Sequence, residues 1–142
     1  MKKGNTLYGV TYYGGAKGYG LVYEAKLPKA GHNEARVTTI HDFAGLDGHG
    51  PWTGLTLAKN GTIYGSTIEG GDVGKHGWGA VFSLTPPATK GGSWTEQVLH
   101  SFDDKGDGNS PGELLLDRTG TLYGATEYGT KDNTGTLFQI VP

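Results

Sequence analysis

The chain reads as an all-β protein built from four-stranded antiparallel, blade-like repeats of the β-propeller type. Three observations lead there. One phrase recurs three times, as Asn5-Thr6-Leu7-Tyr8-Gly9-Val10-Thr11, Gly61-Thr62-Ile63-Tyr64-Gly65-Ser66-Thr67 and Gly120-Thr121-Leu122-Tyr123-Gly124-Ala125-Thr126, with its tyrosines 56 and 59 residues apart. A period of that length marks one supersecondary unit reused along the chain, each copy burying its apolar face on the next. The 142 residues include 27 glycines together with eight tyrosines and three tryptophans. Glycine at that level without aromatics would suggest disorder; with them it reads as turn punctuation between short strands. No segment carries an i, i+3, i+4, i+7 apolar stripe, and the glycines would interrupt a helix.

Each element follows from local chemistry. In the second copy, strand a (55–57) leads through Asn60-Gly61, the strongest two-residue hairpin signal, into strand b (62–67). Thr119-Gly120 takes the same place in the third copy, with weaker turn chemistry. A glycine pair follows b, Gly14-Gly15 and Gly70-Gly71, reduced in the third copy to Gly129-Thr130. A loop of variable length then leads to a glycine-led strand c: Gly20-Leu21-Val22-Tyr23, Gly79-Ala80-Val81-Phe82 (strand 80–84) and Gly135-Thr136-Leu137-Phe138. Pro28, Pro86 and Pro142 close these strands. Strand d (96–102) carries His100-Ser101-Phe102, matching His41-Asp42-Phe43. Asp47-Gly48 and Asp107-Gly108, then Pro51 and Pro111, complete the unit. Every strand has apolar or β-branched residues and is bounded by glycine, proline or Asx turns.

The order is b-c-d, a-b-c-d, a-b-c. That makes one repeat domain over 1–142 of about two and a half units: 4–59, 60–118 and 119–142. Closed propellers usually hold at least four blades, so self-association, as a homodimer or higher, or neighbouring repeats of a longer chain are expected to complete the ring. A β-trefoil needs three complete repeats, which this order does not supply.

The combination of LYG-x-T, the glycine pair, G-x-V-F and an intervening His-Ser-Phe…Asp-Gly…Pro resembles the bacterial tandem repeat named for Gloeobacter and Verrucomicrobia proteins. The resemblance covers nearly the whole chain and departs at Thr130. It implies propeller-like sheets within large exported proteins, hence an extracellular or periplasmic setting in a parent protein. It brings no catalytic motif.

Composition excludes several classes. The formal net charge is −2, with 12 Lys and Arg against 14 Asp and Glu, and no basic run is long enough to track phosphates, so nucleic acid is not an expected partner. The chain has no cysteine, which removes disulfides and thiolate metal sites. No apolar run reaches the roughly 18 residues of a membrane span. Met1-Lys2-Lys3 leads into Gly4-Asn5-Thr6 rather than an apolar stretch, so no signal peptide is read here. Gly14 to Gly20 and Gly70 to His76 are glycine-rich with a lysine but lack the P-loop spacing. G-x-S-x-G and H-E-x-x-H are missing.

Residues present in every copy, including Tyr8, Tyr64 and Tyr123, then Tyr23, Phe82 and Phe138, and the pair His41 and His100, are read as packing between units. Recognition is assigned to residues that break the repeat. Trp52, Trp78 and Trp94 have no tryptophan at the matching places, and an exposed indole suits the C–H face of a sugar. His49 and His76, with Asp47 and Asp72, stand nearby in sequence to bind hydroxyls. The competing reading makes these tryptophans caps or protomer contacts. Asp103, Asp104, Asp107 and Asn109, with Glu113, form a weak calcium candidate, with an Asx turn as the default; no resident metal and no cofactor are expected. The function expected is a non-catalytic binding scaffold with carbohydrate as the candidate ligand. The alternatives are a purely structural assembly repeat and, further off, a glycan-active hydrolase or lyase.

Overall fold

The computed structural model describes residues 1–31, 33–71, 77–103, 105–129 and 132–142. All regular elements among them are β-strands. They form three antiparallel sheets in chain order. The first holds β1 (Lys2–Lys3), β2 (Thr6–Thr11), β3 (Leu21–Lys26) and β4 (Arg36–Asp42). The second holds β5 (His49–Pro51) and β6 (Thr56–Leu57), both paired to β7 (Ile63–Glu69), then β8 (Ala80–Thr85) and β9 (Thr95–Ser101). The third holds β10 (Asn109–Pro111) and β11 (Leu115–Leu116), both paired to β12 (Leu122–Tyr128), and β13 (Leu137–Ile140). No helix long and apolar enough to cross a membrane occurs among the described residues.

The b-c-d, a-b-c-d, a-b-c reading therefore matches the strand order, with two corrections. A short β1 precedes strand b of the first sheet. Strand a is also longer than 55–57 and comes in two pieces: β5 and β6, like β10 and β11, flank a break. Pro51 and Pro111 end the upstream pieces, and proline offers no N–H to continue the ladder. Hydroxyls occupy the interrupted stretch. Thr53 Oγ1 and Ser66 Oγ lie 2.9 Å apart, and Ser66 Oγ donates to the Gly112 carbonyl of the third sheet at 2.7 Å.

Two cores lie between consecutive sheets, and they are built from matching positions. Val22, Phe43, Ile63, Phe82 and Leu84 fill the first junction, flanked by Tyr8, Leu55 and Leu57. Tyr64, Val81, Phe102, Leu114 and Leu122 fill the second, flanked by Leu116, Phe138 and Ile140. Phe43 meets Phe82 edge-on at 5.1 Å and Phe102 meets Phe138 at 5.2 Å. His41 and His100 brace those phenylalanines, each ring 4.7 Å from its neighbour. Each histidine also bonds through Nε2 to an aspartate at 2.9 Å, Asp47 and Asp107 respectively. The shared histidines are thus parts of the junctions. Tyr123 is the exception among the shared tyrosines, 40% exposed where Tyr64 is 8% exposed.

The glycine of the LYG phrase has a steric cause. Gly9, Gly65 and Gly124 pair across the ladder with Tyr23, Phe82 and Phe138, and each aromatic ring lies over its glycine. A Cβ on Gly65 would stand 2.5 Å from Phe82 Cζ, and one on Gly9 would stand 2.5 Å from the Tyr23 hydroxyl. A ring covering a cross-strand glycine restores the contact area that glycine lacks and fixes the register. The threonine ending the phrase has its own task. Thr67 Oγ1 accepts from Ala80 N at 3.2 Å and Thr126 Oγ1 accepts from Thr136 N at 2.8 Å, tying the start of strand c to strand b.

The weak Thr119-Gly120 turn is rescued by Asp117, whose Oδ1 accepts from the Thr119 hydroxyl at 2.8 Å, Thr119 N at 2.8 Å and Thr121 N at 2.9 Å. Those bonds, the Thr119 hydroxyl first and the Thr121 amide next, hold the Asp117 carboxyl below its ordinary value.

Two outcomes follow. Gly65→Ala is expected to destabilise the fold by about 1–3 kcal/mol through overpacking; in a Phe82→Leu background the same change should cost at least about 1 kcal/mol less. A denaturant-melt double-mutant cycle measures this, and additive losses would remove the glycine–ring coupling. Because the Asp117 pKa is depressed in the folded state, its stabilisation is complete above about pH 4 and disappears as pH falls through the folded value. The unfolding midpoint should therefore drop more steeply from pH 4 to pH 2 in the unsubstituted chain than in Asp117→Asn; parallel profiles would contradict it.

Candidate functional site

Five residues at positions that differ between copies converge at one end of the sheets, Tyr12, Tyr13, Trp52, Ile68 and Glu127. After the shared threonine, the first copy continues Tyr12-Tyr13, the second Ile68-Glu69 and the third Glu127-Tyr128. Tyr12, Ile68 and Glu127 hold the same place in their respective copies, and all three line a single cavity of about 520 Å³ together with Tyr13 and Trp52. Trp52 follows Pro51 where Gly112 follows Pro111. An indole thus stands beside this cavity, and its counterpart at the next junction has no side chain.

The aromatic wall is assembled by packing. Tyr12 lies at its centre, 4.4 Å from Tyr13 and 5.7 Å from Trp52, both edge-on. Trp52 is 70% exposed and Tyr13 is 71% exposed, so two broad apolar faces remain open to solvent. His49 stands behind them, its ring 4.8 Å from Tyr19 and 6.1 Å from Tyr12. Its Nδ1 lies 3.0 Å from Glu69 Oε2, its partner across the β5–β7 ladder. Partial burial, with the Glu69 carboxylate and Tyr13 adding to it, raises the Tyr12 hydroxyl above its ordinary pKa, so that it stays a neutral donor.

The backbone explains why this wall forms only at the first junction. Gly50 has φ +65°, and a Cβ there would stand 2.9 Å from the Tyr12 ring. At the matching place in the next junction Ser110 takes φ 53°, and Ile68 replaces the tyrosine. Tyr12 with Gly50 gives way to Ile68 with Ser110 as a pair, because the large ring needs a residue without a side chain opposite it.

The expected sugar-site residues divide. Trp52 and His49 come together around Tyr12. Trp78 lies at the same end of the sheets, one junction further on. It is the counterpart of Tyr19: Gly14 bridges Tyr19 as Gly70 bridges Trp78, and the Tyr19 and Trp78 carbonyls accept from Gly50 N and Ser110 N at 2.9 and 2.8 Å. An aromatic at this place is therefore shared by two copies, a likeness visible in Tyr19-Gly20 and Trp78-Gly79. Trp94 belongs to the opposite end, edge-on to Tyr8 at 6.1 Å and packed on the first core; the structure does not bring it to Trp52. His76 and Asp72 lie outside the described residues. Tyr12, Tyr13 and Glu127 were passed over in the sequence because they adjoin a shared phrase, although their mismatch with one another was legible.

The acidic loop is occupied with its own turn. Asp103 Oδ1 accepts from Lys105 N at 2.9 Å, and Asp107 Oδ1 accepts from Asp103 N at 3.2 Å while Oδ2 meets His100. Asn109 is buried at the start of β10, Glu113 lies in the break before β11, and Asp104 lies outside the described residues.

A family model described as the Gloeobacter/Verrucomicrobia repeat matches residues 1–142. No curated protein and no solved structure matches the chain.

Proposed function

The chain belongs to the Gloeobacter/Verrucomicrobia repeat family, and from that premise we propose that it acts as a non-catalytic scaffold of propeller type whose first junction binds carbohydrate. The observation carrying this reading is the cavity where Tyr12, Ile68 and Glu127 meet. Three matching positions around one space, Tyr12 just past β2, Ile68 in β7 and Glu127 in β12, support a reading of sheets set about a common axis, as the blades of a propeller are about its central channel. Trp52 and Tyr13 supply open aromatic faces for the C–H side of a pyranose. Glu127, Tyr12 and the His49–Glu69 pair supply acceptors and donors for hydroxyls at the rim.

A titration against a broad panel of mono- and oligosaccharides, followed by tryptophan emission and by calorimetry, tests it. At least one sugar is expected to bind and shift the emission. Trp52→Ala should weaken calorimetric binding at least tenfold, about 1.4 kcal/mol, without loss of the fold. No heat and unchanged emission across the panel would defeat the reading.

A second reading, of an assembly repeat, rests on a different observation. Leu137 is 90% exposed, whereas its counterpart Val81 is fully buried. Tyr123 stands open on the same terms relative to Tyr64. On the first sheet Leu7 is exposed where Ile63 is buried. The two outer faces thus repeat the two halves of an internal junction, and joining them head to tail would extend the array or close a ring. Self-association, or adjoining repeats of a longer chain, would cover both. Light scattering at tens of micromolar is expected to return a multiple of 14.9 kDa and Leu137→Asp a monomer; a monomeric unsubstituted chain would exclude closure by self-association.

A further inference from the structure

We propose that His41, Asp47 and Glu96 form a binding site for a divalent transition-metal ion at the junction of the first two sheets, separate from the aromatic cavity. The three come from different segments: His41 from β4, Asp47 from the connection that follows it, and Glu96 from β9 of the second sheet. One ligand atom from each lies within 4.8 Å of the other two. Zinc ligands about 2.0–2.2 Å from the metal stand roughly 3.3–3.6 Å apart, so small side-chain adjustments bring one nitrogen and two oxygens into a shell with a fourth position left for water.

Two of the ligands are already held in place. Ala44 N donates to Asp47 Oδ1 at 2.8 Å, leaving Oδ2 turned toward the His41 Nε2 at 2.9 Å. The His41 ring stands edge-on to Phe43. Outer contacts of this kind orient metal ligands before the ion arrives. The third ligand is in an unusual state. Glu96 Oε1 is buried and makes no hydrogen bond, which is costly for a carboxylate oxygen. Burial raises the Glu96 carboxyl above its ordinary pKa, with His41 opposing the rise and Asp47 adding to it. A cation would satisfy the unpaired oxygen and relieve the crowding of two carboxylates at once.

The repeat supplies an internal control. His100 and Asp107 reproduce the same pair at 2.9 Å, with Asp107 Oδ1 held by a backbone amide and His100 against Phe102. No carboxylate completes a three-ligand group there among the described residues. Among the described residues the third sheet, β10 to β13, has no counterpart of β9, the strand that brings Glu96 to the first junction.

Tag-free protein titrated with CoCl₂ and ZnCl₂ after EDTA dialysis provides the test. One saturable equivalent is expected, with visible Co²⁺ absorption displaced by zinc, and a thermal midpoint that rises with zinc concentration. Glu96→Gln should weaken binding at least tenfold and abolish the midpoint rise, whereas Asp107→Asn should leave both unchanged. Absence of saturable binding below about 100 µM, or a Glu96→Gln variant that binds as tightly as the unsubstituted chain, overturns the proposal. Should Glu96→Gln fail to fold, NMR of the unsubstituted chain decides: substoichiometric Mn²⁺ should broaden the His41 ring signals ahead of those of His100, and equal broadening counts against the site.

Discussion

The close approach of an aromatic ring to a cross-strand glycine is the constraint on which the rest of this structure depends. Tyr23, Phe82 and Phe138 lie across Gly9, Gly65 and Gly124, and only a residue without a side chain admits them. The contact sets the register of strands b and c, and a register slip by one residue would turn every core side chain outward. It also directs Phe82 and Phe138 toward Phe43 and Phe102, so the same rings that lock each sheet join it to the sheet before. Intra-sheet register and inter-sheet packing are one interaction seen from two sides. This accounts for the persistence of the LYG phrase while the loops around it vary.

A scaffold fixed in this way frees the positions just beyond the phrase. Residues four past the shared tyrosine become Tyr12, Ile68 and Glu127, and the geometry delivers all three to one cavity whatever their chemistry. The aromatic wall follows from two local replacements, Tyr12 opposite Gly50 and Trp52 after Pro51. Neither disturbs the ladder: Tyr12 lies just past the end of β2, and Trp52 lies in the break between β5 and β6. Specialisation and cohesion are separated along the chain by only a few residues.

Much of the fold was legible in the sequence because repetition multiplies weak signals. Asn60-Gly61 alone marks one hairpin; three aligned copies mark an architecture. Strand order and the junction roles of His41, His100, Tyr8 and Tyr64 could be read this way. What escaped has physical causes. The split of strand a was hidden because Pro51 and Pro111 read as turn residues, although proline is tolerated at a strand's end on a sheet edge. The kinship of Trp78 with Tyr19, each directly before the glycine of strand c, was legible but is obscured by the change of residue type. The meeting of His41 and Asp47 with Glu96 was not legible, because it joins segments about fifty residues apart across a junction, and no spacing rule within a single unit reports on a neighbour.

The interrupted edge has a bearing on how such chains avoid misassembly. Near-identical strands carried on one polypeptide meet at very high local concentration, and an unbroken strand at a sheet margin would be a template for fibril growth. Here one margin of the second and third sheets is cut into pieces of two or three residues, β5 with β6 and β10 with β11, each pair separated just after a proline. Such fragments offer too few aligned amides for a stray copy to zip onto. Redundancy of sequence, a hazard in most β proteins, is blunted along that margin, while the opposite margins of the first and second sheets, β4 and β9, run unbroken for seven residues.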